Sequence, residues 1–388
     1  MRRSTDRILL SHTGGLHRPA ELRDAINARQ LGEPFDEALS ARVKAAVADV
    51  VRLQLENGVD VVNDGEYPKR GWQSAFRDHF TNIELRQPRP GEPSPGGITN
   101  RESRVFPEYF ASIRGVNVGA AGPGPALAAY CVGPIEYRGL EDTQRDIAYL
   151  KSALDAHPGV EAFMAAMAPG TIEHWLRNQY YRTEEEFLFA IAEAMRVEYN
   201  AIAQAGFIVQ LDDPGLPDGW GIHADMSLEE YRKFAELRVE AMNHALRDIP
   251  EEQIRLHICW GSVHHPHSTD LPLSDIIDVM YKAKAQCYSI EAANPMHDWE
   301  WEVFKDHPLP HGKILMPGVL GHCSREFVEH PQLVAQRLVR YAEIVGRENV
   351  IAGTDCGLSR SAHESVQWAK FRAGAEGARL ATKKLWGR

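Results

Sequence analysis

Between residues 207 and 260 the chain reads Phe207-Ile208-Val209-Gln210-Leu211, then a helix-period segment from Leu228 to Leu246, then Arg255-Leu256-His257-Ile258-Cys259-Trp260. A short apolar run, an amphipathic stretch and a second apolar run are the signal for a βαβ unit. The same alternation continues on both sides. Further runs lie at Arg7 to Ser11, Val59 to Asn63, Ala162 to Met167, Cys287 to Glu291, Ile314 to Leu320 and Val350 to Gly353, with helices expected over Glu37 to Leu55, Glu184 to Ala203 and Pro331 to Val345. Eight runs with intervening helices predict an α/β protein, a (βα)8 TIM barrel. An open doubly wound sheet is the alternative, but no GxGxxG follows the first run, and Thr13-Gly14-Gly15-Leu16 is a poor substitute.

The irregular part lies between the second and third runs, where about a hundred residues replace the usual helix. Gln87 to Gly97 holds four prolines and three glycines, which predicts a loop without regular structure. A plain barrel needs about 250 residues, so this chain has room for an insertion. The expectation is one catalytic domain over 1–388, with an insertion at about 67–130 that caps the barrel mouth or makes an oligomer contact.

With 388 residues, 44% hydrophobic and 25% charged, the chain has the composition of a globular protein with a sizeable core. The net charge of −11 comes without a basic stripe, which argues against nucleic acid as a partner. No apolar run approaches the roughly 18 to 20 residues of a membrane span, and Ile8-Leu9-Leu10 is too short for a signal-peptide core. The chain therefore reads as cytoplasmic. The five cysteines, at 131, 259, 287, 323 and 356, form no CxxC pair, so a zinc ribbon is excluded and any metal site must be assembled from distant segments.

Such an assembly is visible in the pattern. His257 and Cys259 are two apart at the end of the fifth run, so in a strand both point to one side. Glu291 ends the sixth run and Cys356 follows the eighth. All four then sit at strand carboxyl ends, where barrel enzymes place their sites. Two thiolates, an imidazole and a carboxylate suit zinc (Zn2+) over magnesium or calcium. Taken singly, each has a plainer reading as a small buried hydrophobe or a structural hydrogen-bonder; their convergence on one face favours the metal. A zinc site of this kind makes a nucleophile, because a bound thiol has a lowered pKa and can attack an electrophilic carbon. Hydrolysis is the rival chemistry, with Asp212 or Asp213 as general base.

The segments His257-Ile258-Cys259-Trp260, Ser289-Ile290-Glu291-Ala292 and Thr354-Asp355-Cys356-Gly357-Leu358 resemble the zinc-binding segments of the cobalamin-independent methionine synthase family, in its catalytic C-terminal barrel. Gly206 to Pro214 resembles the family's Asp-Glu-Pro strand end, and Val62-Asn63-Asp64-Gly65-Glu66 its Gly-Glu substrate segment. The resemblance implies zinc ligands His257, Cys259, Glu291 and Cys356, and an amino-acid thiol whose amino group is held by Glu66 and Asp212. Three departures stand out. There is no room for the family's second, N-terminal barrel. Gly15 falls where these synthases have a serine near the amino-acid substrate. Cys323 falls at the ungapped position of the proton-donating histidine, with His322 one residue earlier.

The expected activity is zinc-dependent transfer of a methyl or other small alkyl group to a thiol, with a small-molecule thiol and an alkyl donor as partners and a homo-oligomer open. His322 and Asp212 are the expected catalytic groups; Glu66, Asp212 and Gly15 the substrate contacts. His322 would protonate the leaving atom, or else cap a helix beginning near Ser324. The alternatives are zinc-dependent addition of a thiol to an epoxide, as in related short proteins, and a non-catalytic zinc-stabilised binding barrel. His264-His265-Pro266-His267 reads as a solvated loop more readily than as a metal site. Tyr67-Pro68-Lys69-Arg70-Gly71-Trp72 reads either as a pocket wall that binds an anion or as a basic surface turn. Trp299 and Trp301 read as core packing or pocket walls, and Cys131 and Cys287 as buried hydrophobes.

Overall fold

The computed structural model describes residues 1–29, 33, 35–72, 75–89, 92, 100–113, 127–261, 265–323 and 325–387. Eight parallel strands form a nearly closed barrel: β1 Leu9–Leu10, β2 Val61–Val62, β3 Glu161–Met167, β4 Ile208–Asp212, β5 Ile254–Ile258, β6 Cys287–Ile290, β7 Ile314–Leu320 and β8 Ile351–Thr354. Neighbours pair in chain order from β2 to β8, and β8 pairs with β1. Between β1 and β2 the ring is joined by Asp60 N donating to Leu10 O at 2.8 Å and Ser11 Oγ donating to Val61 O at 3.1 Å. All eight strands fall within the runs read from the sequence, to within a residue at either end.

The helices follow from local chemistry as much as from packing. Asp36 caps Glu37–Glu56, Thr183 caps Glu184–Gln204, and Ser227 with Glu230 forms a reciprocal capping box at the start of Leu228–Ala245. Each cap satisfies amide donors that a helix start leaves open, worth about 1 kcal/mol apiece. Strand residues alternate faces. Along β6, Tyr288 and Ile290 pack outward on the helix layer, whereas Cys287 packs inward with Leu9, Ile314, Met316 and Ile351. Side chains of the described residues thus fill the barrel interior, as in barrels that place their sites at the strand ends. Among the described residues no helix is long and apolar enough to cross a membrane.

Between β2 and β3 the chain forms the short helices Ala75–His79, Asn100–Val105 and Pro107–Ser112, the strands Ile83–Arg86 and Ala128–Cys131, and the helix Leu140–Leu154. The two strands pair antiparallel, and Leu176–Asn178 after β3 adds a third strand. Of the proline-rich stretch 87–97, residues 90, 91 and 93–97 lie outside the described residues; 87–89 and 92 have no regular structure. Arg101 donates to Trp220 O at 2.8 Å and Met226 O at 2.6 Å, and its guanidinium stacks on the Trp220 ring at 3.3 Å. Glu102 accepts from the amides and hydroxyls of Ser268 and Thr269. This segment is tied to the loops after β4 and β5.

Candidate functional site

The carboxyl ends of β4, β5 and β6 are in register: Asp212 sits beside His257, and His257 beside Ser289. Register partners in a parallel sheet point the same way, so these three side chains share the barrel mouth. His257 Nδ1 lies 3.1 Å from Ser289 Oγ, while Nε2 is buried with no hydrogen-bond partner among the described residues. Cys259, two residues on, and Cys356, just past β8, bring their sulfurs to 4.0 Å. One donor atom from each of His257, Cys259 and Cys356 fits within a 4.8 Å group. An orphaned imidazole nitrogen facing two thiols is the arrangement expected of residues that hold a borderline-soft ion, and it fits zinc.

The electrostatics agree. The Cys356 thiol is held well below the usual thiol range, first by the Cys259 thiol hydrogen-bonded to it and, against burial, by the nearby His257 and His322. Cys259 is correspondingly pushed up. Burial opposes a charge on His257, but Cys356, Asp212 and Glu291 raise it. Part of this set is therefore ready to act as thiolate ligand.

Glu291 lies outside this 4.8 Å group but close enough to act electrostatically on His257 and Cys259. Its Oε2 accepts from Trp260 N at 2.9 Å and its Oε1 from Asn294 Nδ2 at 2.9 Å. It groups instead with His322 and Cys323, again within 4.8 Å. Burial, reinforced by Asp355, pushes its carboxyl up to about 8. Asp355 in turn accepts the amides of Ala292 and Ala293, both at 2.8 Å, which fixes the backbone after Glu291. A Cβ on Gly318 would stand 2.0 Å from Asp355 Oδ1, so β7 needs glycine at that point. His322 is buried, its Nε2 is 3.3 Å from Cys323 Sγ, and burial holds its imidazole down at about 4, so it is neutral at physiological pH. It caps no nearby helix: the next one starts at Pro331 with His330 as its cap, and Ser324 lies outside the described residues.

The other side of the mouth is acidic. Glu66 stands at φ 60, a left-handed conformation unfavourable for a residue with a Cβ. It is held there by Asn63 Oδ1 accepting Gly65 N at 2.8 Å and Asp64 Oδ1 accepting Glu66 N at 2.9 Å. Its carboxylate lies over Gly14, where φ is +138 and a Cβ would come within 2.3 Å of Oε1, and beside Gly15. Enclosure pushes Glu66 up to about 8, with Lys69 opposing and Asp212 adding. Asp212, pushed up to about 6 by burial, accepts from Trp72 Nε1 at 2.9 Å and Gln210 Nε2 at 2.7 Å. Asp213 is engaged elsewhere, with Thr171 Oγ1 at 2.7 Å.

Other groups take roles or places that the sequence did not assign them. Lys69 belongs to neither a surface turn nor an anion pocket: its ammonium turns inward, donates to Ala165 O, and is raised, against burial, by Glu198, Glu66, Asp64 and Asp212. Ser289 orients His257, and Asp355 orients the Glu291 loop; both lie inside the motifs quoted above, and that adjacency was the available signal. His297 stacks on Trp260 at 3.8 Å between Glu300 and Asp270, whose carboxylates lift it to about 10 against burial. Of the histidine-rich loop, His264 lies outside the described residues, whereas His267 pairs with Asp270 at 2.7 Å and stacks on His265. These residues are packed and not solvated. A cavity of about 660 Å³ opens here, lined by Tyr109, His265, His267, Asn294, Met296 and Cys323 among others. Trp299 is exposed and outside this lining, Trp301 packs partly against the core, and Cys131 and Cys287 are buried.

Residues 138–375 match the family described as cobalamin-independent synthase, catalytic domain. Over 377 residues the chain is 24% identical to a methionine synthase of Saccharolobus islandicus, covering 96% of this chain and 94% of that protein. Over 363 residues it is 24% identical to a 5-methyltetrahydropteroyltriglutamate–homocysteine methyltransferase of Thermotoga petrophila, covering 91% of this chain but only 42% of the relative. Among solved structures, a B12-independent methionine synthase from a Shewanella species, in complex with selenomethionine, superposes with a TM-score of 0.71 at 19% identity, covering 98% of this chain and all of that one. That likeness shows the barrel fold.

Proposed function

Because the chain belongs to the cobalamin-independent synthase catalytic-domain family, we propose that it transfers a methyl group from a small-molecule donor to the thiol of homocysteine, with zinc held by His257, Cys259 and Cys356. The observation that supports this most is the meeting of His257 Nε2 with two thiols beside a pair of carboxylates, at the carboxyl ends of barrel strands. A zinc ion bound there lowers the pKa of an incoming thiol, so that the sulfur reacts as thiolate at neutral pH. Held by His257, Cys259 and Cys356, such an ion would have room for that sulfur, the pattern of catalytic zinc sites.

The chain's own residues supply the rest. Glu66 and Asp212 accept the ammonium of the amino-acid thiol and so set where its sulfur points. Gly14 leaves the space that the Glu66 carboxylate fills, and Gly15 flanks that carboxylate, where the substrate would contact it. In the same reading, residues 1–388 form one catalytic unit and the segment at about 67–130 caps its mouth, since Arg101 and Glu102 anchor it to the loops after β4 and β5, and Tyr109 reaches the cavity. The cap excludes water from a thiolate that must meet a carbon electrophile.

Zinc-loaded protein, incubated with homocysteine and either a methylated folate or a methyl sulfonium, is expected to yield methionine by mass spectrometry. X-ray absorption at the zinc edge should show one added sulfur neighbour when homocysteine is present. Absence of both the methylated product with every donor and the added sulfur would overturn the reading.

A further inference from the structure

The 660 Å³ cavity has a wall that the reading above leaves unused. His267, in the loop after β5, lines it together with Cys323 from the loop after β7. Nδ1 of His267 lies 2.7 Å from Asp270 Oδ2, and the same oxygen is 3.1 Å from His297 Nε2, whose Nδ1 meets Glu300 at 2.8 Å. Imidazole and carboxylate alternate along this chain, from the buried Glu300 out to the cavity.

His267 stands at φ 59, in the left-handed region that a residue with a Cβ avoids. Its neighbours sustain the strain. Its ring stacks on His265 at 4.0 Å, and its N–H donates to His265 Nδ1 at 3.1 Å. Ser268 and Thr269, the next two residues, give their amides and hydroxyls to the buried Glu102 of the segment between β2 and β3. Residues held in such conformations collect at functional sites. Here the held conformation sets an imidazole against a carboxylate on the wall of a cavity of small-molecule size. His322, the histidine after β7, has no carboxylate partner of this kind: its Nδ1 makes no hydrogen bond among the described residues, and its Nε2 meets the Cys323 thiol at 3.3 Å. The His267–Asp270 pair belongs to the same mouth as the thiols, since beyond burial the charges of Cys356, His267 and His257 all act on His322.

We propose that His267, oriented by Asp270, is the proton donor to the second substrate, and that this substrate carries its methyl group on a nitrogen that must be protonated as the methyl leaves. The proposal rests on the methyl-transfer reading. In the step, the homocysteine thiolate forms a bond to the methyl carbon, the carbon–nitrogen bond breaks, and its electron pair stays on nitrogen. The His267 imidazolium gives that nitrogen its Nε2 proton and ends neutral, with Nδ1–H still on Asp270. The negative charge of the thiolate and the positive charge of the imidazolium are consumed together. Histidine suits the task because its proton is exchanged near neutral pH. Asp270 faces the ring from its own loop, Asp218 from the helix Gly215–Ile222, His297 from across Asp270, His322 from the loop after β7, and Glu102 from behind His265. Asp270 is the carboxylate in hydrogen-bond contact, and such contact favours the imidazolium.

The test compares two methyl donors on zinc-loaded, full-length protein. A methylated folate leaves a nitrogen that takes up a proton; a methyl sulfonium leaves a neutral sulfide that needs none. Single-turnover methionine formation by His267→Asn should fall about 10²-fold or more with the folate and no more than a few-fold with the sulfonium, with homocysteine affinity and zinc content retained. The ratio of folate to sulfonium rates cancels the pH dependence of the thiolate and of Glu66. In wild type this ratio should fall as pH rises and the imidazolium is lost. The fall should vanish in His267→Asn, move to lower pH in Asp270→Asn, and persist in His322→Asn. Thermal melts check that each variant is folded; should Asp270→Asn fail to fold, the donor comparison in His267→Asn decides. Equal losses with both donors in His267→Asn overturn the proposal. So does a folate-selective loss in His322→Asn without one in His267→Asn, and so does a wild type that uses the sulfonium alone. In these three outcomes methyl transfer to homocysteine still stands; its absence with both donors overturns that reading and the proposal with it.

Discussion

The two halves of the barrel mouth are built by different means. On the β5 to β8 side, His257 lies within a strand, and Cys259 and Cys356 follow within two residues of a strand end, so sheet register alone brings nitrogen and sulfur together. On the β1 to β4 side, Glu66 is carried by a turn in a left-handed conformation, held by Asn63 and Asp64 and seated over a glycine with φ +138. The first half is set by the fold; the second depends on local strain that the surrounding hydrogen bonds must sustain. The donor half should therefore fail as a unit, and the carboxylate half should respond in grades.

The sharpest way to break this contrast is to remove one sulfur. Cys356→Ser replaces a thiolate with a donor poorly matched to a borderline-soft ion. We expect methyl transfer to fall by about 10³-fold or more, beyond the 10- to 100-fold typical of outer-contact changes, with zinc at this position lost on dialysis and the melting curve little changed. Full zinc retention with normal turnover would show that the three donors are not a unit.

Next comes the carboxylate half. Glu66→Gln removes the charge expected to hold an ammonium, a contact worth about 1.5–3 kcal/mol, so KM for homocysteine should rise roughly 10- to 100-fold, while a thiol lacking the amine is unaffected. The sign of the pH effect follows from burial. Because the Glu66 carboxyl is pushed up to about 8, most of it is protonated in the free protein at pH 7. Binding an ammonium needs the carboxylate, so homocysteine uptake should release a proton, and affinity should increase as pH rises towards 8. Calorimetry at pH 7 in two buffers of different ionisation enthalpy reads that proton. No buffer dependence in wild type, or the same dependence in Glu66→Gln, would remove Glu66 from the contact.

A smaller effect probes how register-built donors are tuned. With Nε2 free for a metal, His257 Nδ1 donates to Ser289 Oγ. Ser289→Ala leaves the ring in place without that acceptor, and zinc affinity should fall about 10-fold, the low end for such contacts. A chelator competition measures it. An unchanged affinity would mean that packing against β4 and β6 orients the ring on its own.

The same contrast explains what could be read from the chain beforehand. Each barrel strand is a short apolar run, and most long helices have a capping side chain at their start, so both were legible to within a residue or two at places such as Glu37–Glu56 and Pro331–Val345, whereas Leu140–Leu154, which starts after Gly139 without one, was not singled out. His257, Cys259 and Cys356 were legible because strand periodicity dictates where they point. Glu291 was placed with them by its position at a strand end and by resemblance; what spacing does not encode is that its two oxygens also accept from Trp260 N and Asn294 Nδ2. The inward turn of Lys69 was hidden for a similar reason. A basic run looks like a surface turn until four carboxylates, Glu66, Asp64, Asp212 and Glu198, are assembled around it from three segments.

The finest test compares two adjacent glycines under Glu66. At Gly14 both the positive φ and the 2.3 Å approach to Glu66 Oε1 forbid a side chain, so Gly14→Ala should displace the carboxylate and mimic or exceed Glu66→Gln. Gly15 is different. Its backbone is not in the left-handed region, and a Cβ there would lie 3.3 Å from Ser359 Oγ and 3.5 Å from Glu66 Oε2, contacts that a shift of a few tenths of an ångström relieves. A serine at this point places a hydroxyl within reach of the Glu66 carboxylate or of the substrate. Gly15→Ser should therefore fold normally and change KM for homocysteine by only about 2- to 5-fold, the size of one neutral hydrogen bond. If Gly15→Ser were as damaging as Gly14→Ala, the space beside Glu66 would be needed empty, for a thiol substrate bulkier at that end than homocysteine.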